Sequence, residues 1–169
     1  MKNYFNSVLA ILFATSLSFN TYSQINCSSG FPGAAFVDDL EIQGLWTGDF
    51  GTGNGVWRVN SGGTTSGSTG PSSAHSGNNY FYFETSTGGG TTGTIVTPAI
   101  DLISASNDAE LSFWIHAFGA TIGTLDVGIG TSNTGPFTNI YSQSGQLQTA
   151  SGDPFQNVSI NIASYIGQQ

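Results

Sequence analysis

From Gln24 onward the apolar residues come in short runs that stop at glycine, proline or small polar residues, and none continues at helical spacing. Short runs bounded by turn formers predict strands rather than helices. Tyr80–Thr85 (YFYFET) is aromatic nearly throughout and ends at Ser86-Thr87-Gly88-Gly89-Gly90, which predicts a strand covered on both faces. Glu110–Phe118 alternates Leu111, Phe113, Ile115 and Ala117 with Ser112, Trp114, His116 and Phe118, giving one apolar and one amphipathic face. Gly123–Gly130 sets Leu125, Val127 and Ile129 against Asp126 in the same way.

Further strands are predicted at Ala35–Glu41, Val56–Asn60, Thr94–Thr97 (stopping at Pro98), Thr138–Ser142 and Phe155–Ile162, where Val158 is out of phase with Phe155. Trp46 falls in a turn, Gly48–Gly55 and Ser61–Ser73 read as loops, and Gly70-Pro71 and Thr134-Gly135-Pro136 are turn signals. Many short strands with such turns predict an all-β, antiparallel jelly-roll sandwich of the concanavalin-like kind.

Charged residues make up only 7% of the chain and aromatics 12%, which argues for a packed core and against disorder. Lys2 and Arg58 are the only Lys or Arg residues. The acids are Asp38, Asp39, Glu41, Asp49, Glu84, Asp101, Asp108, Glu110, Asp126 and Asp153. A net charge of −8 repels phosphate backbones and anionic bilayers, so nucleic acid and membrane surfaces are excluded as partners. Carboxylates do suit a hard cation such as calcium.

Lys2, the apolar run Val8–Ala14, and Thr21 and Ser23 at −3 and −1 of a cut before Gln24 have the pattern of a secretory signal peptide over residues 1–23. The run is too short to span about 30 Å of hydrocarbon. The expected organisation is a lead-in at 24–34 and one sandwich domain at 35–169, in a secreted or cell-surface protein. A closing strand is expected after Tyr165–Gln169, so the domain is predicted to be truncated at its C-terminus. Cys27 is the single cysteine, which leaves no internal disulfide. Gln24-Ile25-Asn26 before it does not fit a lipid-anchored cysteine.

Several motifs follow one another in a telling order. Asp39-Leu40-Glu41 precedes Trp46, and Trp57 precedes Thr69-Gly70-Pro71-Ser72, His75, Gly77 and Tyr80–Glu84. Then come Ile95-Val96-Thr97-Pro98, Leu111–His116 (LSFWIH) with Gly119, and Gly123-Thr124-Leu125-Asp126-Val127. This series, from about Asp38 to Tyr165, resembles the MAM domain, an extracellular module of receptors, secreted metalloproteases and bacterial surface proteins. The chain departs from that family in lacking the four cysteines of many animal members. It also has Gly51–Gly55 in place of an acidic loop and Ala74 where an Asp often precedes the His. The family's closing strand, with further acids, would lie beyond Gln169.

The resemblance implies one structural calcium near the first strand. Asp39 and Glu41 share a face at period two, and backbone carbonyls near His75 and Ser76 would complete part of its shell. The alternative is a solvated acidic strand edge. Asp49–Gly55 (DFGTGNG) has glycine where an EF-hand loop needs oxygen ligands, and reads as a turn. His75, His116 and Cys27 show no zinc spacing; His75 is expected to fix the Gly70–Gly77 loop and His116 to bond a neighbouring loop. No Gly-x-Ser-x-Gly elbow is present, and Glu84, Glu110 and Asp126 lie in separate segments rather than as the paired acids of a glycosidase. Trp46, Trp57 and Trp114 are expected core anchors, with Trp114 the candidate exception because it shares a face with Ser112 and His116.

The expected function is therefore a secreted, non-catalytic adhesion or recognition module of a larger extracellular or cell-surface protein. Its partner would be a protein or glycan at the cell surface, or a second copy through self-association. The alternatives are a carbohydrate-binding module attached to a secreted hydrolase or protease, and a catalytic sandwich using one of Glu84, Glu110 or Asp126.

Overall fold

The computed structural model describes residues 40, 45–52, 55–85, 92–100, 102 and 109–167, together with the backbone of residues 6–12. The strands are β1 (Asn6–Leu12), β2 (Thr47–Gly48), β3 (Val56–Asn60), β4 (Tyr80–Glu84), β5 (Thr92–Ala99), β6 (Glu110–Ile115), β7 (Thr124–Gly130), β8 (Thr138–Ser144) and β9 (Gln156–Asn161). A 3-10 turn at Ala163–Tyr165 follows β9. No helix among the described residues is long and apolar enough to cross a membrane. The fold is all-β, as the short alternating segments predict.

Five strands form one sheet in the order β2-β5-β1-β7-β8, and β3-β4 and β6-β9 form two-stranded sheets. Every pairing is antiparallel except those of β1, which runs parallel to both β5 and β7. The inner faces of the five-stranded sheet and of β6-β9 stack as a sandwich. Ile100, Leu102, Val127, Ile129 and Ile162 are buried between them, against Leu111, Phe113 and Ile160 on one side and Leu125, Ile140 and Tyr141 on the other. The Phe113 ring meets Tyr141 edge-on at 5.6 Å. Each such aliphatic side chain contributes about 1.5–3 kcal/mol when fully buried.

The β3-β4 hairpin joins this core through aromatics. Trp57 is buried, donates its indole N–H to the Gly93 carbonyl at 2.9 Å and meets Phe83 edge-on at 5.5 Å. The Phe83 ring lies where a β-carbon on Gly93 would stand, so only glycine admits this approach. Trp46 and Phe50 both pack edge-on against Phe81. On the opposite face Tyr80 and Glu84 are buried, so β4 is covered on both sides as its continuous aromatic run predicts. Tyr80 donates to the Gly62 carbonyl at 2.7 Å and accepts from Asn60 at 3.0 Å, which pins the start of the 61–79 loop. Arg58 reaches the buried Glu84 carboxylate at 3.9 Å and donates to the Thr52 carbonyl at 2.6 Å.

Several strand boundaries differ from expectation: β6 ends at Ile115 rather than Phe118, β8 runs on to Ser144, and β5 begins at Thr92. β5 does not stop at Pro98 but continues to Ala99. Proline has no N–H to donate, and the ladder to β1 accordingly shifts register between Ala10 and Leu12. In β9 the inward residues are Val158 and Ile160, joined by Ile162 just after the strand; Phe155 precedes the strand and belongs with the outer face. Residues 6–12 lie within the segment that reads as a signal peptide, and here they pair with β7 throughout and with β5 at every residue but Ile11. An uncharged, mostly apolar run suits a central strand whose neighbours cover both edges. The strand expected at Ala35–Glu41 lies outside the described residues, save Leu40.

Candidate functional site

The outer face of the β6-β9 sheet carries Ser112 and Trp114 from β6 opposite Ser159 and Asn157 from β9. Trp114 faces outward because Leu111, Phe113 and Ile115 take the inward phase. It is 50% exposed, the one large hydrophobic side chain that stands out from the surface among the described residues.

Two loops frame it. The 61–79 loop folds over the end of this sheet because its turn is tied down by backbone bonds: Gly70 N–H to the Phe118 carbonyl and Ser72 N–H to the Ser151 carbonyl, both at 2.8 Å. Gly70 adopts φ +66°, a conformation that favours glycine, and Pro71 after it is buried. Thr64 Oγ1 donates to the Thr69 carbonyl at 2.6 Å inside the loop. The result places the His75 ring on Trp114, stacked at 3.9 Å with 16° between planes.

The second loop, 146–155, is fixed by Gln148, whose buried amide accepts from Ala117 N–H at 2.6 Å and donates to the Pro154 carbonyl at 3.1 Å. It delivers Phe155 edge-on to His75 at 5.6 Å and at 5.1 Å to His116. Four rings from three chain segments thus form one patch.

Its electrostatics are set by the same loop. Asp153 accepts from Thr149 N–H at 2.7 Å, Ala150 N–H at 2.8 Å and the Thr149 hydroxyl at 2.9 Å. The backbone donors hold its carboxyl below the usual range, with the Thr149 hydroxyl and His116 adding to this. Burial lowers the His116 pKa, while Asp153 and the carbonyls of Ala150 and Asp153 pull the other way. Neither His116 ring nitrogen makes a hydrogen bond of ordinary geometry, although those carbonyls approach it. The bond to a neighbouring loop expected for His116 is thus an approach to the 150–153 carbonyls, and His75 is an exposed ring platform as well as a loop residue.

Of the residues expected to hold calcium, Asp39 and Glu41 lie outside the described residues. His75 and Ser76 sit in the exposed loop, where they offer two backbone carbonyls against the six to eight oxygens calcium takes. Among the described residues no three His, Cys, Asp or Glu side chains gather as a metal set. Asp49, read as part of a turn, accepts from Thr94 N–H at 2.7 Å and ties that turn to β5.

The three acids weighed for catalysis are spread over three sheets. Glu84 is on β4 with Arg58, Glu110 is exposed on β6, and Asp126 on β7 accepts from Asn139 and Ser142. What the aromatic patch can do chemically is bind: an exposed indole with hydroxyl and amide neighbours offers a flat apolar surface and hydrogen bonds at its margin.

Sequence reasoning singled out Trp114 and both histidines but missed Phe155, whose signal was its phase error against Val158. It also gave no sign that Thr69–His75 and Leu111–His116 meet in space. No protein-family model matches the chain, and no solved structure matches it.

Proposed function

We propose that this chain is a non-catalytic recognition or adhesion module of an extracellular or cell-surface protein, engaging its ligand with the outer face of the β6-β9 sheet. The observation that carries this reading is Trp114, half exposed yet held in place by His75. Exposed tryptophans in a fixed setting are the residues on which binding energy concentrates. Two of the three segments that build the patch, the loop carrying His75 and Leu111–His116, lie in stretches that resemble MAM domains, and the signal-peptide pattern supports an extracellular site of action.

A carbohydrate ligand is the second reading. It is favoured by the polar side chains Ser112, Asn157 and Ser159 on the face that carries the Trp114 ring, a setting that suits the apolar face and hydroxyl rim of a sugar.

Glycan arrays and surface-protein binding assays with the wild type and Trp114→Ala test both readings. Specific glycan binding lost in the variant selects the carbohydrate reading. Protein binding or self-association lost in the variant selects adhesion. Binding of either kind that survives Trp114→Ala undiminished would remove the patch from the function.

A further inference from the structure

We propose that the folded chain cleaves its own peptide bond between Asp153 and Pro154 in mild acid, with the Asp153 carboxylate as nucleophile and His116 as the acid. The reaction is a single turnover of the chain on itself and is independent of the binding role given to the Trp114 face. Two features of the sequence prepare the bond. An aspartate carboxylate reaches its own main-chain carbonyl carbon by closing a five-membered ring, an intramolecular attack that gains from proximity. The competing reaction of an aspartate is attack on its side chain by the amide nitrogen of the next residue. That reaction needs an N–H, and Pro154 has none.

The 146–155 loop fixes the nucleophile and the bond. Thr149 N–H, Ala150 N–H and the Thr149 hydroxyl all donate to Oδ2 of Asp153, at 2.7, 2.8 and 2.9 Å. These donors favour the charged carboxylate and leave its Oδ1 for attack. On one side of the bond Asp153 N–H donates to the Ala150 carbonyl at 3.2 Å. On the other the buried Gln148 donates its Nε2 to the Pro154 carbonyl at 3.1 Å.

His116, just after β6, supplies the acid. Both its ring nitrogens are buried without a hydrogen bond of ordinary geometry, yet the carbonyls of Ala150 and Asp153 approach them. Among the described residues the titratable groups that face this ring are Asp153 and, across the Phe155 ring, His75. An imidazolium here is poorly satisfied in the resting protein. It gains a negative partner when charge develops on the Asp153 carbonyl oxygen, so its stabilisation is greater in the transition state than before it.

The steps balance as follows. Oδ1 bonds to the Asp153 carbonyl carbon, and the carbonyl electron pair moves onto its oxygen, where His116 donates. Collapse breaks the carbon–nitrogen bond, and the Pro154 nitrogen leaves as an amine with the imidazolium proton. Water opens the cyclic anhydride to the Asp153 side-chain carboxylate and a new main-chain carboxylate. Of the two protons released, one returns to His116 and one charges the amine. The net change is hydrolysis of one peptide bond. β9 keeps its ladder to β6, while Phe155 becomes the second residue of a new chain end beside His75.

The test holds the purified full chain at a series of pH values from neutral to acid. Fragments are read by denaturing electrophoresis, intact mass and N-terminal sequencing. The expected product is a fragment beginning Pro154-Phe155-Gln156. Its rate rises as pH falls below the ordinary histidine value of 6.5 and is lost again below 3.8, where the Asp153 carboxylate takes up its proton. His116→Gln is expected to slow the reaction about 100-fold or more, the usual contribution of one placed acid, and Asp153→Asn to abolish it. The same chain unfolded in urea at the same pH loses the placed acid and slows by about 100-fold or more as well.

A mass that stays whole at every pH overturns the proposal. Cleavage as fast in urea as in the folded chain, or as fast in His116→Gln as in the wild type, overturns it equally, because the bond is then labile by its sequence alone. Far-ultraviolet circular dichroism checks that each variant is folded. Should Asp153→Asn fail to fold, His116→Gln and the urea comparison decide.

Discussion

Replacing Trp114 with alanine removes a side chain that is 50% exposed and stacked on His75 at 3.9 Å. A fully buried aromatic covers about 150–250 Å², and half of that at about 25 cal/mol per Å² is roughly 2–3 kcal/mol, an upper bound because the unfolded chain already hides some surface. Loss of the ring stack adds about 0.5–1.5 kcal/mol. Trp114→Ala is therefore expected to cost about 2–4 kcal/mol, a fall in melting midpoint of about 4–16 °C. Trp57 is the control: it is 8% exposed and its indole N–H bonds the Gly93 carbonyl at 2.9 Å. Trp57→Ala loses about 3–5 kcal/mol for the ring and about 1–3 kcal/mol for the carbonyl left without its donor. Urea unfolding followed by far-ultraviolet circular dichroism measures both without relying on indole fluorescence. Equal costs for the two variants would refute the assignment of Trp114 to the surface, and with it the patch as a binding face.

Acid is expected to weaken the fold through His116. Its folded-state pKa lies below the ordinary 6.5, so the unfolded chain binds this proton first; stability is full above 6.5 and falls as pH drops through the lower folded value. Urea midpoints against pH, with and without His116→Gln, measure this. Asp153, lowered from 3.8, contributes stability above that value that is lost further into acid, and Asp153→Asn is expected to flatten the second step. Gly93→Ala drives a methyl into the Phe83 ring and is expected to cost about 1–3 kcal/mol by thermal melting. If Asp39 and Glu41 hold a calcium ion, chelator lowers the melting midpoint and Asp39→Asn abolishes the difference; equal midpoints with calcium and chelator would remove the ion.

Strand identity was legible because alternation in Glu110–Phe118 and Gly123–Gly130 marks the buried phase, which β6 follows residue by residue and β7 follows in burying Val127 and Ile129. The extension of β5 through Pro98 was not, since the missing N–H falls where the ladder to β1 bulges, a property of the neighbour and not of the run itself. The site was half legible. Trp114 was flagged by its polar phase, but its partner His75 is distant in sequence and reaches it because Gly70 and Ser72 bond Phe118 and Ser151 beside the same sheet. Phe155 was read as the first residue of the Phe155–Ile162 strand, out of phase with Val158; it precedes β9, and that phase difference puts it on the outer face. The place of residues 6–12 in the sheet was hidden for a different reason: a run suited to translocation has the same composition as a central strand with a neighbour on each edge.

The Arg58–Glu84 pair has a consequence for how copies of this protein meet. If residues 1–23 are removed as their pattern predicts, Lys2 goes with them and Arg58 is the last Lys or Arg, set against the buried Glu84 carboxylate. The remaining acids have no cationic counterpart to attract on a like molecule. Contacts between two copies must then overcome mutual repulsion, and added salt, which shortens its reach to about 8 Å at physiological strength, strengthens them where it would loosen an ion-paired interface.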